Sequence, residues 1–185
     1  MEKGIVTDSN LMTLSSGEKT HYYYNLKSIM ADPEGISLIA ELMLEKVREL
    51  GAKSVGGLEV AAIPLSTAII MKAYQFEGMI IKGFYVRKQP KQHGLKKQIE
   101  GYPITPVVIV DDVLTTGESV SKAMDSVRQA GFNVAGVVCI VDRQEDNILK
   151  QNNVKYTSLF THYDFKSFID KEIEEKKKQD TQQLH

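Results

Sequence analysis

Two stretches of this chain, 106–110 and 134–141, are apolar almost without interruption. A strand with one wet face alternates apolar and polar residues, whereas a strand apolar at every position is covered on both sides. Strands of that kind belong to a parallel sheet sandwiched by helices. The flanking segments agree. Asp32 and Pro33 form a helix start, with Asp32 as N-cap and Pro33 in the first turn, and Ile36, Ile39, Met43, Val47 and Leu50 follow at helical spacing until Gly51 ends the run. Further strands are expected at 54–58, 79–86 and 156–160. Helices are expected at 63–76, 118–130 and 145–151, and from about 163 onward. Strand–helix alternation of this kind predicts an α/β domain with a mostly parallel five-stranded sheet. A single domain over 1–170 follows, and the charged, Gln-rich segment 171–185 reads as a frayed, solvated tail.

Composition narrows the function classes. The 185 residues carry a formal net charge of -1, so no global attraction to nucleic acid is expected. The lone Cys139 lies inside an apolar run and reads as a buried core thiol, with no disulfide or Cys-x-x-Cys metal site available to it. No apolar leader opens the chain and no run reaches membrane-spanning length, so a reducing cytoplasm is the expected setting.

The densest chemistry follows the first apolar run. Val107 to Val110 lead into Asp111, Asp112, Val113, Leu114, Thr115, Thr116, Gly117, Glu118 and Ser119. A strand thus delivers paired carboxylates and then a small hydroxyl-rich loop at a helix N-terminus. Backbone N–H groups and the helix dipole at such a terminus hold phosphate, and Gly117 permits close backbone approach. The Gly-Lys pair of a Walker loop is absent. Paired acids would repel a bare phosphate. They suit a ribose phosphate, whose hydroxyls they accept and whose developing ring charge they stabilise.

A second segment, 87–101, concentrates Arg87, Lys88, Lys91, His93, Lys96 and Lys97 between glycines. It lacks the interleaved aromatics of a single-strand nucleic-acid platform. Alone it could be a solvated loop. Beside the phosphate loop it supplies cations, and a proton donor in His93, for a pyrophosphate leaving group, with the length of a lid that excludes water.

The string 107–119 resembles the phosphoribosyl pyrophosphate (PRPP) signature of type I phosphoribosyltransferases. The order Arg87-Lys88, Lys91, His93-Gly94 is similar to the mobile catalytic loop of the orotate phosphoribosyltransferases. Leu14-Ser15-Ser16-Gly17 with Tyr22-Tyr23-Tyr24-Asn25, the segment Gly57-Leu58-Glu59 to Ile63-Pro64-Leu65, and Asp142-Arg143 resemble further parts of that family. The resemblance spans about 11–165. It implies a type I phosphoribosyltransferase fold with a small N-terminal hood (1–30). It implies transfer of ribose 5-phosphate from PRPP to orotate, giving orotidine 5′-monophosphate. PRPP would be bound by 111–119 and by Arg87, Lys88, Lys91 and His93, and these four residues with Asp112 would be catalytic. The carboxylate of orotate would meet Arg143, whose planar guanidinium suits a bidentate fork, together with Thr115. Tyr23 and Tyr24 would lie beside the ring. The alternative for Arg143 is a surface ion pair with Glu145 or Asp146. Magnesium is the implied cofactor, carried by PRPP and water with no direct protein ligand. A homodimer is implied, with 87–101 reaching the partner's site, and neither nucleic acid nor membrane as partner. The chain departs from the family pattern at Ser15 and Ala61, where lysine is frequent, and Lys19 is near enough in sequence to stand in. A phosphoribosyltransferase for another base, or a PRPP-binding regulator, would share the phosphate loop. The first would have no need of Arg143, and the second little use for the basic segment.

Overall fold

The computed structural model describes residues 2–13, 17, 19–89 and 98–183. Strands β1 (Ile5–Thr13) and β2 (Lys19–Tyr24) pair antiparallel as a separate two-stranded unit, with Ile5 opposite Tyr24 and Thr13 opposite Lys19. A short helix α1 (Leu26–Met30) joins it to α2 (Pro33–Glu49). The side chain of Asp32 accepts a hydrogen bond from the Gly35 amide at 2.8 Å, and Gly51 adopts φ 66° just beyond the helix, so the expected start and stop of α2 are both present.

The remaining chain builds β3 (Ser54–Leu58), α3 (Ala62–Glu77), β4 (Lys82–Val86), β5 (Ile99–Gly101), β6 (Val107–Leu114), α4 (Glu118–Gln129), β7 (Val134–Asp142), α5 (Ile148–Gln151), β8 (Tyr156–Thr161) and α6 (Lys166–Gln183). The main sheet runs in the order β5-β4-β3-β6-β7-β8, parallel except for β5 at one edge. Both faces are covered, as the apolar runs require. Val108, Val110, Val138 and Ile140 face one core with α2 and α3. Val107, Ile109, Val137 and Cys139 face a second core with α4. Cys139 is fully buried, and burial pushes its thiol pKa up, consistent with a structural role.

Four features differ from the sequence expectation. The sheet has a sixth strand, because residues 99–101 return along β4; Gly101, at φ 102°, lies where a Cβ would meet the Gly83 carbonyl at 2.5 Å. Strand β6 does not stop at Val110 but continues through both acids to Leu114, paired with β7 as far as Asp142. Helix α5 is a single turn, capped by the buried Asn147 side chain. The chain after residue 171 is helical to Gln183 rather than frayed. Phe168, Ile169 and Ile173 pack on the core, and Lys176 donates to the Thr7 carbonyl at 2.6 Å. Ion pairs at i,i+4 support the exposed face, including Lys171–Glu175 and Lys178–Glu174.

Candidate active site

Strand order reverses between β3 and β6: β4 lies to one side of β3, whereas β7 and β8 lie to the other side of β6. Ligands of open α/β sheets bind beyond the carboxyl ends of the strands at such a reversal. A cleft of about 310 Å³ opens there, lined by Leu58 at the end of β3 and Glu59, Val60 and Ala61 after it, Lys88 after β4, and Asp111, Asp112, Val113, Thr115 and Ser119 from β6, the loop after it and α4. Arg143 after β7 and Tyr22, Tyr23, Tyr24 and Lys27 from the N-terminal unit close it. Residues from five separated segments therefore share one cavity.

The strand that leads to it is tightly built. Gly56 and Gly57 lie in the fully buried β3, where a Cβ would meet the Phe84 carbonyl at 2.2 Å and the Val110 carbonyl at 2.3 Å respectively. The Arg87 amide donates to the Gln98 carbonyl, and the Lys88 amide donates to a Glu59 carboxylate oxygen at 3.0 Å, tying the base of the basic segment to the loop after β3. The Glu59–Val60 peptide bond is cis.

The acids organise themselves locally. The Asp112 amide donates to Asp111 Oδ1 and the Val113 amide to Asp112 Oδ1, each at 3.0 Å. Burial, with the Asp112 carboxylate alongside, pushes the Asp111 pKa up to about 8. Asp112 faces Lys27 at 3.9 Å. Beyond β6 the loop turns through Gly117, at φ 81°, into α4; Thr115 and Ser119 reach the cleft, Leu114 packs in the core, and Thr116 and Glu118 are exposed. Glu118 pairs with Lys122, which lowers its pKa, and the Thr116 carbonyl accepts from the Ile148 amide.

Arg143 has both a place in the cleft and an ion-pair partner. It lines the cleft and also pairs with Glu145 through Nε at 2.8 Å, yet its side chain is only 5% exposed, so the pair is not a surface contact. Its Nη2 donates to the Tyr22 hydroxyl at 3.2 Å, and its guanidinium carbon is 5.1 Å from the Tyr22 ring centre. Tyr22 in turn stacks on His162 at 5.0 Å and 19°. Tyr24 is buried and its hydroxyl is 3.0 Å from His162 Nδ1; burial raises its pKa.

Of the other expected site residues, Tyr23 lines the cleft from the opposite face of β2 to Tyr24 and is 40% exposed. Arg87 is not part of the lining; its guanidinium pairs with Glu100 across the stem of the basic segment at 3.6 Å. Lys91 and His93 lie outside the described residues, as does Ser15. Lys19 is exposed at the start of β2 and does not line the cleft. Lys27 does, together with Ala61, so among the described residues a cation paired with the acids comes from α1. Sequence reasoning missed Lys27, Tyr22 and Glu59. Reading 19–24 as a strand would have placed Tyr22 and Tyr24 on one face. Among the described residues no three His, Cys, Asp or Glu side chains come together to hold a metal ion, and no helix is long and apolar enough to cross a membrane.

Comparison with known proteins gives concordant matches. The family model for the phosphoribosyl transferase domain matches residues 25–173. The orotate phosphoribosyltransferase of Aquifex aeolicus is 43% identical over 160 residues, covering 84% of this chain and 86% of its relative. That of Bradyrhizobium diazoefficiens is 46% identical over 140 residues, 72% of this chain and 74% of the relative. The crystal structure of the Mycobacterium tuberculosis orotate phosphoribosyltransferase in complex with PRPP is 30% identical, with a TM-score of 0.65, covering 77% of this chain and 82% of that one.

Proposed function

The chain belongs to the phosphoribosyl transferase domain family and within it to the orotate phosphoribosyltransferases, and we propose that its cleft takes PRPP and orotate in the manner the geometry suggests. It is an orotate phosphoribosyltransferase: it moves ribose 5-phosphate from PRPP to orotate in pyrimidine biosynthesis. The observation that carries the reading is the convergence, at one strand-order reversal, of a phosphate loop, an acid pair and a nearly buried arginine.

In this reading the loop 115–119 and the first amides of α4 hold the 5-phosphate, with Thr115 also reaching the base. Asp111 and Asp112 face the ribose hydroxyls. Orotate N1 attacks the anomeric carbon as the bond to pyrophosphate oxygen breaks, its proton passing to the departing pyrophosphate or to solvent, with inversion and no covalent enzyme intermediate. Asp112 stabilises positive charge gathering on the ring. Arg143 holds the orotate carboxylate, beside Tyr23 and Tyr24. Lys88, Lys91 and His93, with Arg87 at the stem, receive the departing pyrophosphate as 87–101 closes over the site. The acids lining the cleft, Glu59, Asp111 and Asp112, are hard oxygen donors compatible with magnesium, which would be held chiefly by PRPP oxygens and water and would neutralise pyrophosphate charge. The proposed assembly is a cytoplasmic homodimer in which 87–101 reaches the partner's site, and a sizing measurement checks it.

The test is loss of orotate absorbance with PRPP and magnesium, with uracil and hypoxanthine run in parallel. Turnover confined to orotate is expected. Turnover with another base would remove Arg143 as the selector, and PRPP binding without turnover of any base would mark a sensor.

A further inference from the structure

We propose that His162, which lies outside the phosphate loop, the acid pair and the basic segment, is a positioning residue for the carboxylate end of the substrate site: its imidazole holds the Tyr22 ring, and Tyr22 holds Arg143. The inference rests on the reading that Arg143 binds the orotate carboxylate.

An arginine side chain has many rotamers, and fixing it before the ligand arrives removes an ordering cost from binding. Arg143 is fixed from two sides. Glu145 holds Nε at 2.8 Å, and Tyr22 accepts from Nη2 at 3.2 Å while its ring lies beside the guanidinium. Tyr22 belongs to the two-stranded N-terminal unit, which among the described residues forms no strand pairing with the main sheet. His162, the first residue after β8, braces Tyr22 against the sheet, stacked on it at 5.0 Å and nearly parallel. The same imidazole meets the Tyr24 hydroxyl through Nδ1 at 3.0 Å. Because Tyr22 and Tyr24 share one face of β2, one imidazole engages both. Burial, Arg143 and Lys166 lower the His162 pKa against an opposing Asp170, which favours a neutral ring beside the guanidinium.

The two contacts of His162 can be separated. His162→Asn keeps a polar group near Nδ1 for Tyr24 but loses the stacked ring. His162→Phe keeps a flat ring over Tyr22 but loses the polar group. Orotate and PRPP KM and kcat are measured for both, for Tyr22→Phe and for Arg143→Ala, with the melting midpoint of each to verify folding. His162→Asn and Tyr22→Phe are expected to raise the orotate KM by about three- to tenfold, the size of one net hydrogen bond or ring contact, with PRPP KM unchanged. His162→Phe is expected to stay within about twofold of wild type by the same reasoning. Arg143→Ala raising the orotate KM while His162→Asn and Tyr22→Phe leave it unchanged overturns the inference alone. So does a parallel rise in both KM values for His162→Asn, or His162→Phe proving as costly as His162→Asn. Arg143→Ala sparing the orotate KM removes the reading beneath it, and the inference falls with it.

Discussion

Asp111→Asn should stabilise the ligand-free protein, and more so as pH rises. The carboxyl of Asp111 is pushed up to about 8 by burial and by Asp112, against about 4 for an unfolded chain. The folded state therefore holds a proton that the unfolded state releases over that interval. Unfolding loses a proton, so stability falls as pH climbs from about 4 to about 8 and levels off above. Between pH 5 and 8 the ceiling is three units at about 1.4 kcal/mol each, or about 4 kcal/mol, and water in the open cleft screens this to about 2 kcal/mol. Asparagine retains an oxygen that can accept from the Asp112 amide, so the local turn survives. At about 2–4 °C per kcal/mol for a domain of this size, the melting midpoint of Asp111→Asn relative to wild type should rise by about 4–8 °C more at pH 8 than at pH 5. Melts of both proteins without ligand, in matched ionic strength at pH 5, 6.5 and 8, measure it. A difference that is flat with pH, or that grows toward acid, would refute the assignment of a raised carboxyl to this position. In the proposed reading, where Asp111 faces the substrate hydroxyls, the variant should also lose turnover.

Lys91→Ala should cut turnover by about a hundredfold, the scale of losing one fixed charge that acts on the departing group, while the melting midpoint holds; unchanged turnover would take the basic segment out of the reaction. Gly57→Ala places a methyl 2.3 Å from the Val110 carbonyl and 3.0 Å from the Ala62 Cβ. Overpacking against backbone at that site should cost about 1–3 kcal/mol or more and lower the melting midpoint by several degrees, and a midpoint equal to wild type would mean that β3 and β6 can separate locally.

The features that were legible in the sequence are those written in consecutive residues. Residues 107–110 and 134–141 announce strands covered on both faces because every position is apolar, and the phosphate loop is contiguous from Asp111 to Ser119. The extension of β6 through the acids was hidden because two carboxylates look like a turn; pairing with β7 as far as Asp142 keeps them in the strand. The brace around Arg143 was hidden for a different reason. His162 and Tyr22 are 140 positions apart in the chain, and only the closing of the N-terminal unit over the ends of β7 and β8 brings them together. The helical end of the chain was misread through its charge. Lys166 with Asp170 and Lys171 with Glu175 stand four apart, which is a helix signal as much as a solubility one, and Ile169 and Ile173 mark the face that packs.

The cleft walls also bear on what the basic segment has to supply. The described lining carries Glu59, Asp111 and Asp112 against Lys27, Lys88 and Arg143, and Lys27 and Arg143 are already engaged with Asp112 and Glu145. Three acids against three bases leave the lining neutral when all are ionised, and the raised Asp111 pKa shifts it by at most one charge toward positive, while PRPP and orotate together would bring a large negative charge. The amides at the start of α4 can offset one phosphate through the helix dipole, and Lys88 a second, but not a pyrophosphate as well. The missing positive charge must arrive with the substrate, as a divalent cation, or from Lys91, Lys96 and Lys97. If the segment supplied it permanently, the empty site would hold several like charges together at an electrostatic cost. In the proposed reading, bringing those charges in only when the anions are present would avoid that cost and would couple closure to substrate binding.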